Sequence, residues 1–323
     1  MESLHGKRTR LFFATDVHGS ERCFLKFLNA GKAYNADVLI LGGDLTGKMV
    51  VPIVEDERGV FSASFLGGEY HLSGSQEVEA LEKNIRVVGY YPYRTTRDEV
   101  EELSDDKAKV AEVFSELMCT SIQRWMDIAD NKLRGTGIKC FVSAGNDDVF
   151  AIDPALGSSE CVINPEGKVV NIDEHHEMIS CGFANMTPWK CPRDISDEDL
   201  AGKIEGMTSK VRNMGNCIFN LHCPPHNSGI DEGPKLDETL KPVLGPGGDV
   251  QMIPTGSISI RRAIERWQPL LSLHGHIHES RGVLNIGRTL CANPGSEYTE
   301  GILRGFLVDL SPEGIIDYIP TSG

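Results

Sequence analysis

A chain of 323 residues with ordinary globular composition is long enough for one large α/β domain, or one domain with a sizeable insertion, and buries a substantial core either way. Its 32 Lys+Arg against 47 Asp+Glu give a formal charge of −15. That balance disfavours long nucleic acids and acidic membrane surfaces, yet it leaves small anionic substrates open, because bound cations invert the field inside a single cleft.

The nine cysteines contain no C-x-x-C pair and suggest no disulfide framework. No run approaches the roughly 20 apolar residues of a membrane span, and "MESLHGKRTRLFFATD" holds too short an apolar stretch for a signal peptide. A cytoplasmic protein is expected.

Five short apolar runs have strand length: "RLFFATDVH" (10–18), "DVLILGGD" (37–44), "KCFVSAGND" (139–147), "NCIFNLH" (216–222) and "PLLSLHGHIH" (269–278). Their near-continuous apolarity predicts strands buried on both faces, as in an α/β sandwich. Helical spacing of Phe24, Phe27 and Leu28 places a helix between the first two. About a hundred residues separate the second run from the third, far more than a crossover needs, so 46–137 reads as a cap-like insertion. It opens with a hairpin turning near Asp56–Gly59. Over 97–134 a long amphipathic helix is expected, with Val100, Leu103, Val110, Val113, Leu117, Trp125, Ile128 and Leu133 on its apolar side and the acidic "RDEVEELSDD" as a solvated face. "DEHHE" (173–177) reads as a solvated loop or edge, because adjacent histidines on a strand face opposite ways. Residues 223–256, dense in Pro and Gly, read as a surface loop. A helix at Ser257–Trp267 and short strands around 282–286, 289–292, 305–309 and 315–318 close the chain.

Every apolar run stops at Asp, Asn or His. In an open α/β sheet ligands bind beyond the carboxyl ends of the strands, so Asp16/His18, Asp44, Asn146/Asp147, His222 and His276/His278 are expected to converge. Each ending has a plainer reading, as a turn, a helix cap or a satisfied polar group. Five in sequence order favour a metal site of mixed oxygen and imidazole ligands without thiolate, which suits Mn, Fe or Zn.

These blocks, "DVH" (16–18), "GGD" (42–44), "GND" (145–147), "LH" (221–222) and "GHIH" (275–278), resemble those of the calcineurin-like metallophosphoesterases. "LHCPPH", "QPLLSLHGHIHES" and "NPGSEY" are similar to the bacterial and archaeal phosphoesterases related to the Icc phosphodiesterase. The resemblance implies a single domain over 1–323, a sandwich of two mixed β-sheets flanked by helices with a helical and hairpin insertion. It also implies two divalent metal ions. One would be held by Asp16, His18, Asp44 and His278, the other by Asp44, Asn146, His222 and His276, with Asp44 bridging. The activity implied is hydrolysis of a phosphate ester, chiefly a diester, by in-line attack of a metal-bridging hydroxide. The substrate would be a small phosphate ester or nucleotide.

One departure stands out. The family has a histidine after Gly-Asn that protonates the leaving oxygen, whereas this chain has Asp147, expected to be ionised and unable to donate at neutral pH. His226, four residues past His222, is a candidate to reach substrate in its place. The departure also keeps open a non-catalytic binding module with the same fold. His274 reads as support for a ligand or as strand packing, and Cys223 as facing away from the site.

Overall fold

The computed structural model describes residues 8–323. The N-terminal stretch read against a signal peptide therefore lies partly outside the described residues. Each apolar run becomes a strand shorter than the run, because its polar end leaves the sheet as a loop. β1 (Thr9–Ala14) and β2 (Val38–Leu41) flank α1 (Glu21–Ala33), whose first turn is capped by the Ser20 hydroxyl accepting from the Cys23 N–H.

In the insertion, β3 (Val50–Glu55) and β4 (Phe61–Phe65) form the expected hairpin, with the Asp56 carboxylate accepting from the Arg58 and Val60 N–H groups. β5 (Gly68–Leu72), α2 (Ser75–Val87) and β6 (Tyr91–Thr96), which sequence patterning does not separate, complete a four-stranded sheet in the order β5-β4-β3-β6. Val51, Ile53, Phe65, Val78, Leu81 and Ile85 give it a small core of its own.

The single helix expected over 97–134 is instead two, α3 (Arg97–Asp105) and α4 (Lys107–Leu133). They break at Asp106, whose extended backbone ends the first helix and whose carboxylate accepts from the Ala108 and Lys109 N–H groups to start the second. α3 buries no residue, in keeping with its acidic face, and Val110 is exposed rather than packed. The apolar stripe engages only the later part of α4, where Met118, Ile122, Trp125, Met126 and Leu133 join the core. There Trp125 stacks on Phe24 of α1, with ring centroids 4.3 Å apart and planes 6° from parallel.

The second half runs through β7 (Lys139–Val142), α5 (Asp153–Leu156), β8 (Val162–Ile163), β9 (Val169–Asn171), β10 (Glu177–Cys181), β11 (Ala184–Asn185), β12 (Asp194–Ile195) and α6 (Asp197–Thr208). β13 (Cys217–Leu221), β14 (Glu232–Pro234), β15 (Met252–Pro254), α7 (Ile258–Trp267) and β16 (Leu271–Leu273) follow. β17 (Gly282–Ile286), β18 (Thr289–Asn293), β19 (Arg304–Ser311) and β20 (Gly314–Ser322) end the described chain. "DEHHE" is only partly solvated. Glu174 and His175 are exposed, but the Asp173 carboxylate turns back to accept from the His175 and His176 N–H groups, His176 is buried with Nδ1 2.8 Å from that carboxylate, and Glu177 opens β10 and accepts from Arg212.

Two six-stranded sheets result, ordered β20-β19-β1-β2-β7-β8 and β17-β18-β16-β13-β10-β9. Both are mixed. β1, β2, β7 and β8 run parallel, as do β10, β13, β16 and β18, while the outer pairings with β19, β20, β17 and β9 are antiparallel. Alternation along each strand builds the layers. Leu11, Phe13, Val38, Ile40 and Phe141 meet Met178, Ile218, Leu271 and Leu290 between the sheets. Phe12, Leu39, Leu41 and Val142 face α1 and α4 on one outside, and Ile179, Phe219 and Leu221 face α6 and α7 on the other. The structure is thus the sandwich of two mixed sheets flanked by helices, with a helical and hairpin insertion, that the sequence implies.

The insertion is seated directly on the loop after β1. The Ser20 hydroxyl donates to the Val87 carbonyl at 2.9 Å, and within the insertion the Gly47 N–H donates to the Tyr91 hydroxyl at 2.7 Å. Gly89, at φ +94°, packs so closely that a Cβ would collide with the His18 carbonyl oxygen. Gly89→Ala adds both a left-handed strain of about 1–2 kcal/mol and an overpacking penalty of about 1–3 kcal/mol, so a loss of at least ~2 kcal/mol in chemical denaturation is expected. Wild-type stability in the variant would show that the contact is slack.

Candidate metal centre

The carboxyl ends of strands from both sheets meet at one place, and the sequence-predicted residues lie in the loops that leave them. Asp16 and His18 follow β1, Asp44 follows β2, Asn146 and Asp147 follow β7, His222 follows β13, and His276 and His278 follow β16. Four of these residues take left-handed backbone: Asp16 (φ 53°), His18 (φ 38°), Asp44 (φ 51°) and His276 (φ 68°). Such conformations are sparsely populated by side-chain-bearing residues and persist where surrounding contacts impose them. Here the loops bind one another. The Asp16 and His18 N–H groups donate to the Gly43 and Asp44 carbonyls, both at 3.0 Å, and the Gly275 N–H donates to the His222 carbonyl at 2.9 Å. The His276 N–H donates to the Asp16 carboxylate at 3.1 Å.

The three alternate histidines do not line one strand face, since β16 ends at Leu273 and the turn at His276 separates them. His274 is buried apart from the cluster. Its Nδ1 lies 2.8 and 3.0 Å from the carbonyls of Leu221 and Cys223, either side of His222, and its Nε2 lies 2.8 Å from the Ser272 hydroxyl. Burial draws it down to about 4, so it is neutral and holds the backbone around His222.

Ligand atoms of Asp16, His18 and His278 lie within 4.8 Å of one another, and so do those of Asp44, His222 and His276. His18 Nε2 sits 3.0 Å from His278 Nε2, and His278 Nε2 sits 3.4 Å from Asp16 Oδ1. The two Asp44 oxygens point to different sets, Oδ2 lying 3.6 Å from His18 Nε2 and Oδ1 lying 3.3 Å from His222 Nε2. Asp16 and Asp44 are buried, and no Lys or Arg pairs with either among the described residues.

The geometry fits divalent ions on a specific observation. Asn146 Oδ1 is a buried acceptor without a hydrogen-bond partner, and His222 Nε2 is buried with only the charges of Asp44 and Asp16 near it, at 3.3 and 3.9 Å; each belongs to the second expected ligand set. Asn146 is oriented by Asp194, which accepts from its Nδ2 at 2.8 Å; a carboxylate only accepts, so the amide oxygen must face the cluster. Asp194 is itself held by the N–H groups of Thr187 and Cys191 at 3.0 and 2.9 Å.

Protons occupy the cluster in the absence of metal. Burial opposes the charge on Asp16, but the His278 hydrogen bond and the charge of His222 hold its carboxyl at about 2. Asp44 is likewise held well below the usual carboxylate range, against burial, by His222. Burial pulls His222 down, yet Asp44 and Asp16 outweigh it and push the imidazole up to about 10. His18 and His276 are drawn down to about 4 by burial.

Sequence patterning misses several supporting residues. Asp148, fully buried, accepts from the N–H groups of Leu45, Thr46 and Gly145 and from the Thr46 hydroxyl, tying the β2 loop to the β7 loop. Burial pushes it up to about 6. Buried Arg193 donates to the Asp148 carbonyl at 2.9 Å and pairs with Asp153. Lys48 pairs with Asp147 at 2.9 Å, and Tyr298 lies against His18 with centroids 4.8 Å apart. Only Asp148 has a local signal, as the second Asp of "GNDD"; the others depend on long-range contacts. Cys223 faces away, its thiol 2.9 Å from Asn185 Oδ1. His226 lies outside the ligand groups, half-exposed, with Nδ1 3.9 Å from Asp231.

The fold and cluster together define an α/β-sandwich protein with a candidate centre for divalent ions. No family model matches the chain. A curated relative, the uncharacterized protein MJ1162 of Methanocaldococcus jannaschii, is 30% identical over 152 residues, which cover 46% of this chain and 61% of that protein. The match thus spans about three-fifths of the relative's length. Among solved structures, TT1561 of Thermus thermophilus is similar over 98% of this chain and 99% of its own, with a TM-score of 0.54 at 12% identity, a likeness of fold alone. A structure described as a novel archaeal phosphodiesterase matches over 97% and 100% of the two chains at 12% identity, but its TM-score of 0.35 carries no weight. No helix among the described residues is long and apolar enough to cross a membrane.

Asp194→Ala frees the Asn146 amide to rotate. Metal affinity should fall roughly 10–100-fold, as for loss of other groups that orient ligands, measured by competition with a chelating dye. Unchanged affinity would remove Asp194 from the centre. Because His222 is pushed up to about 10, a divalent ion entering at neutral pH must displace its proton. His278, another expected ligand, is raised as well by Asp16, so binding should release at least about one proton per chain and tighten as pH rises through the neutral range, which calorimetry in buffers of different ionisation heat will read.

Proposed function

We propose that the chain is a dinuclear metal-dependent phosphoesterase of the calcineurin-like kind, acting chiefly on small phosphodiesters. The observation that carries this reading is the pair of ligand sets facing a shared Asp44, with unpartnered ligand atoms buried between them. Asp16, His18, Asp44 and His278 would hold one divalent ion, and Asp44, Asn146, His222 and His276 the other. When bound, two such ions supply Lewis-acid chemistry, offsetting phosphate charge and acidifying a water.

The chain's own residues prepare the place. The loop contacts hold the Asp and His side chains at the mouth of the sheets before substrate arrives, which lowers the reorganisation needed at reaction. A cavity of about 460 Å³ opens beside the centre, lined by His278 together with Arg281, Ser296, Tyr298 and Arg304, and is large enough for the ester's organic group. Asp147 stands beside the centre, with its N–H donating to Asp44 Oδ1 at 3.1 Å. It occupies the position where the resemblance has a histidine donor. A leaving group therefore departs best when it is a fairly stable anion, a condition that aryl and other activated diesters meet.

Reconstituted protein should bind two ions per chain and hydrolyse an aryl phosphodiester. Asp44→Asn should lower turnover more than ~100-fold and weaken metal retention, because it removes a charge facing both ligand sets. Two retained ions with near-normal turnover in that variant would overturn the assignment. Two ions in the wild type without turnover of any phosphate ester would favour the non-catalytic module instead.

A further inference from the structure

Lys48 stands at the centre for a reason the fold does not require. Its ammonium is 2.9 Å from Asp147 Oδ2, and the same oxygen is 3.9 Å from His18 Nδ1. The other Asp147 oxygen faces the Cys191 thiol at 3.6 Å. Ligand-bearing atoms of His18, Asp44 and Asp147 fall within 4.8 Å of one another, so Lys48 is one carboxylate removed from the metal ligands. Among the described residues it is the only Lys or Arg that pairs with a member of these groups.

The Lys48 side chain is half-exposed, and an ion pair so exposed adds little to folding stability. Its stem leaves the loop where the insertion begins, one residue past Gly47, which is fixed by the Tyr91 hydroxyl. The ammonium is turned toward the centre by its pair with Asp147. It carries three donors, of which Asp147 uses one.

We propose that Lys48 is a substrate-binding residue, donating to a non-bridging oxygen of the phosphoryl group at the metal centre while Asp147 holds the ammonium in place. The proposal rests on the phosphoesterase reading and deepens it by naming what sets the ester class. The Lys48–Asp147 pair is neutral overall, which offsets the repulsion of dianionic monoesters that a bare Asp147 would exert. A dianion gains more from a nearby cation than a monoanion does. Lys48 therefore widens acceptance toward monoesters, and its loss narrows the protein to diesters.

The test uses the metal-reconstituted full chain and inorganic phosphate as the probe, read by calorimetry, with metal content measured in parallel. Lys48→Met should weaken phosphate binding roughly 10–100-fold, the worth of one hydrogen bond between charged groups, and Lys48→Arg should keep it within a few-fold. Metal content should stay unchanged in both. With aryl substrates sharing one leaving group, Lys48→Met should raise the diester-to-monoester ratio of kcat/KM by about 10-fold, chiefly through KM.

Phosphate affinity in Lys48→Met within twofold of wild type overturns the proposal, as does a fall in metal content, which would make Lys48 a support for the ligands. Absence of measurable phosphate binding by the metal-loaded wild type overturns it too. Failure of the phosphoesterase reading shows separately, as missing metal or missing ester turnover in the wild type, whatever the Lys48 variants do.

Discussion

Two carboxylates, Asp16 and Asp44, are buried where the strands of both sheets end, and among the described residues no lysine or arginine neutralises either of them. Burying an anion without a permanent counter-charge is among the most unfavourable things a fold can do, and the usual escape is to take up a proton. Here the carboxylates are held below their usual range, and His222 and His278 are instead pushed toward the protonated form. A site that holds two anions ready and a displaceable proton beside them is one that cations complete. Much of the local structure can be understood as holding that arrangement against its own tendency to relax.

The holding is done by polar contacts between loops rather than by apolar packing. Asp148 gathers the N–H groups of two loops into one carboxylate, His274 ties the backbone on both sides of His222, and Asp194 sets which end of Asn146 faces inward. Each of these groups is satisfied away from the centre, while Asn146 Oδ1 and His222 Nε2, which face it, are left without a hydrogen-bond partner. Left-handed backbone at four of the ligand residues is the conformational cost of this convergence, and the rigid sandwich beneath bears it.

The insertion takes part in this. Its contacts through Gly47, Gly89, Tyr91 and Ser20 bear directly on the loop of His18, and the same junction carries Lys48. A segment that from its length looks like an appended cap is continuous with the centre at one end and with the main core, through α4, at the other.

The sequence by itself determined the strands and the residues that end them. Buried strands need continuous apolar runs, and Asp, Asn or His at the end of each run is a local signal that survives without knowledge of partners. Helix starts at Ser20 and Ser257 are legible for the same reason, since a cap acts over three residues. What only the tertiary structure decided is everything set by contacts far apart in the chain. Asp194 lies 48 positions from the amide it orients, and Lys48 pairs with Asp147 across the whole length of the insertion, so no spacing rule could join them. The break at Asp106, the buried turn of His176 and the separate course of His274 went the same way. Each depended on which neighbouring element accepted a hydrogen bond or covered an apolar face, and that is fixed only when the sheets have packed.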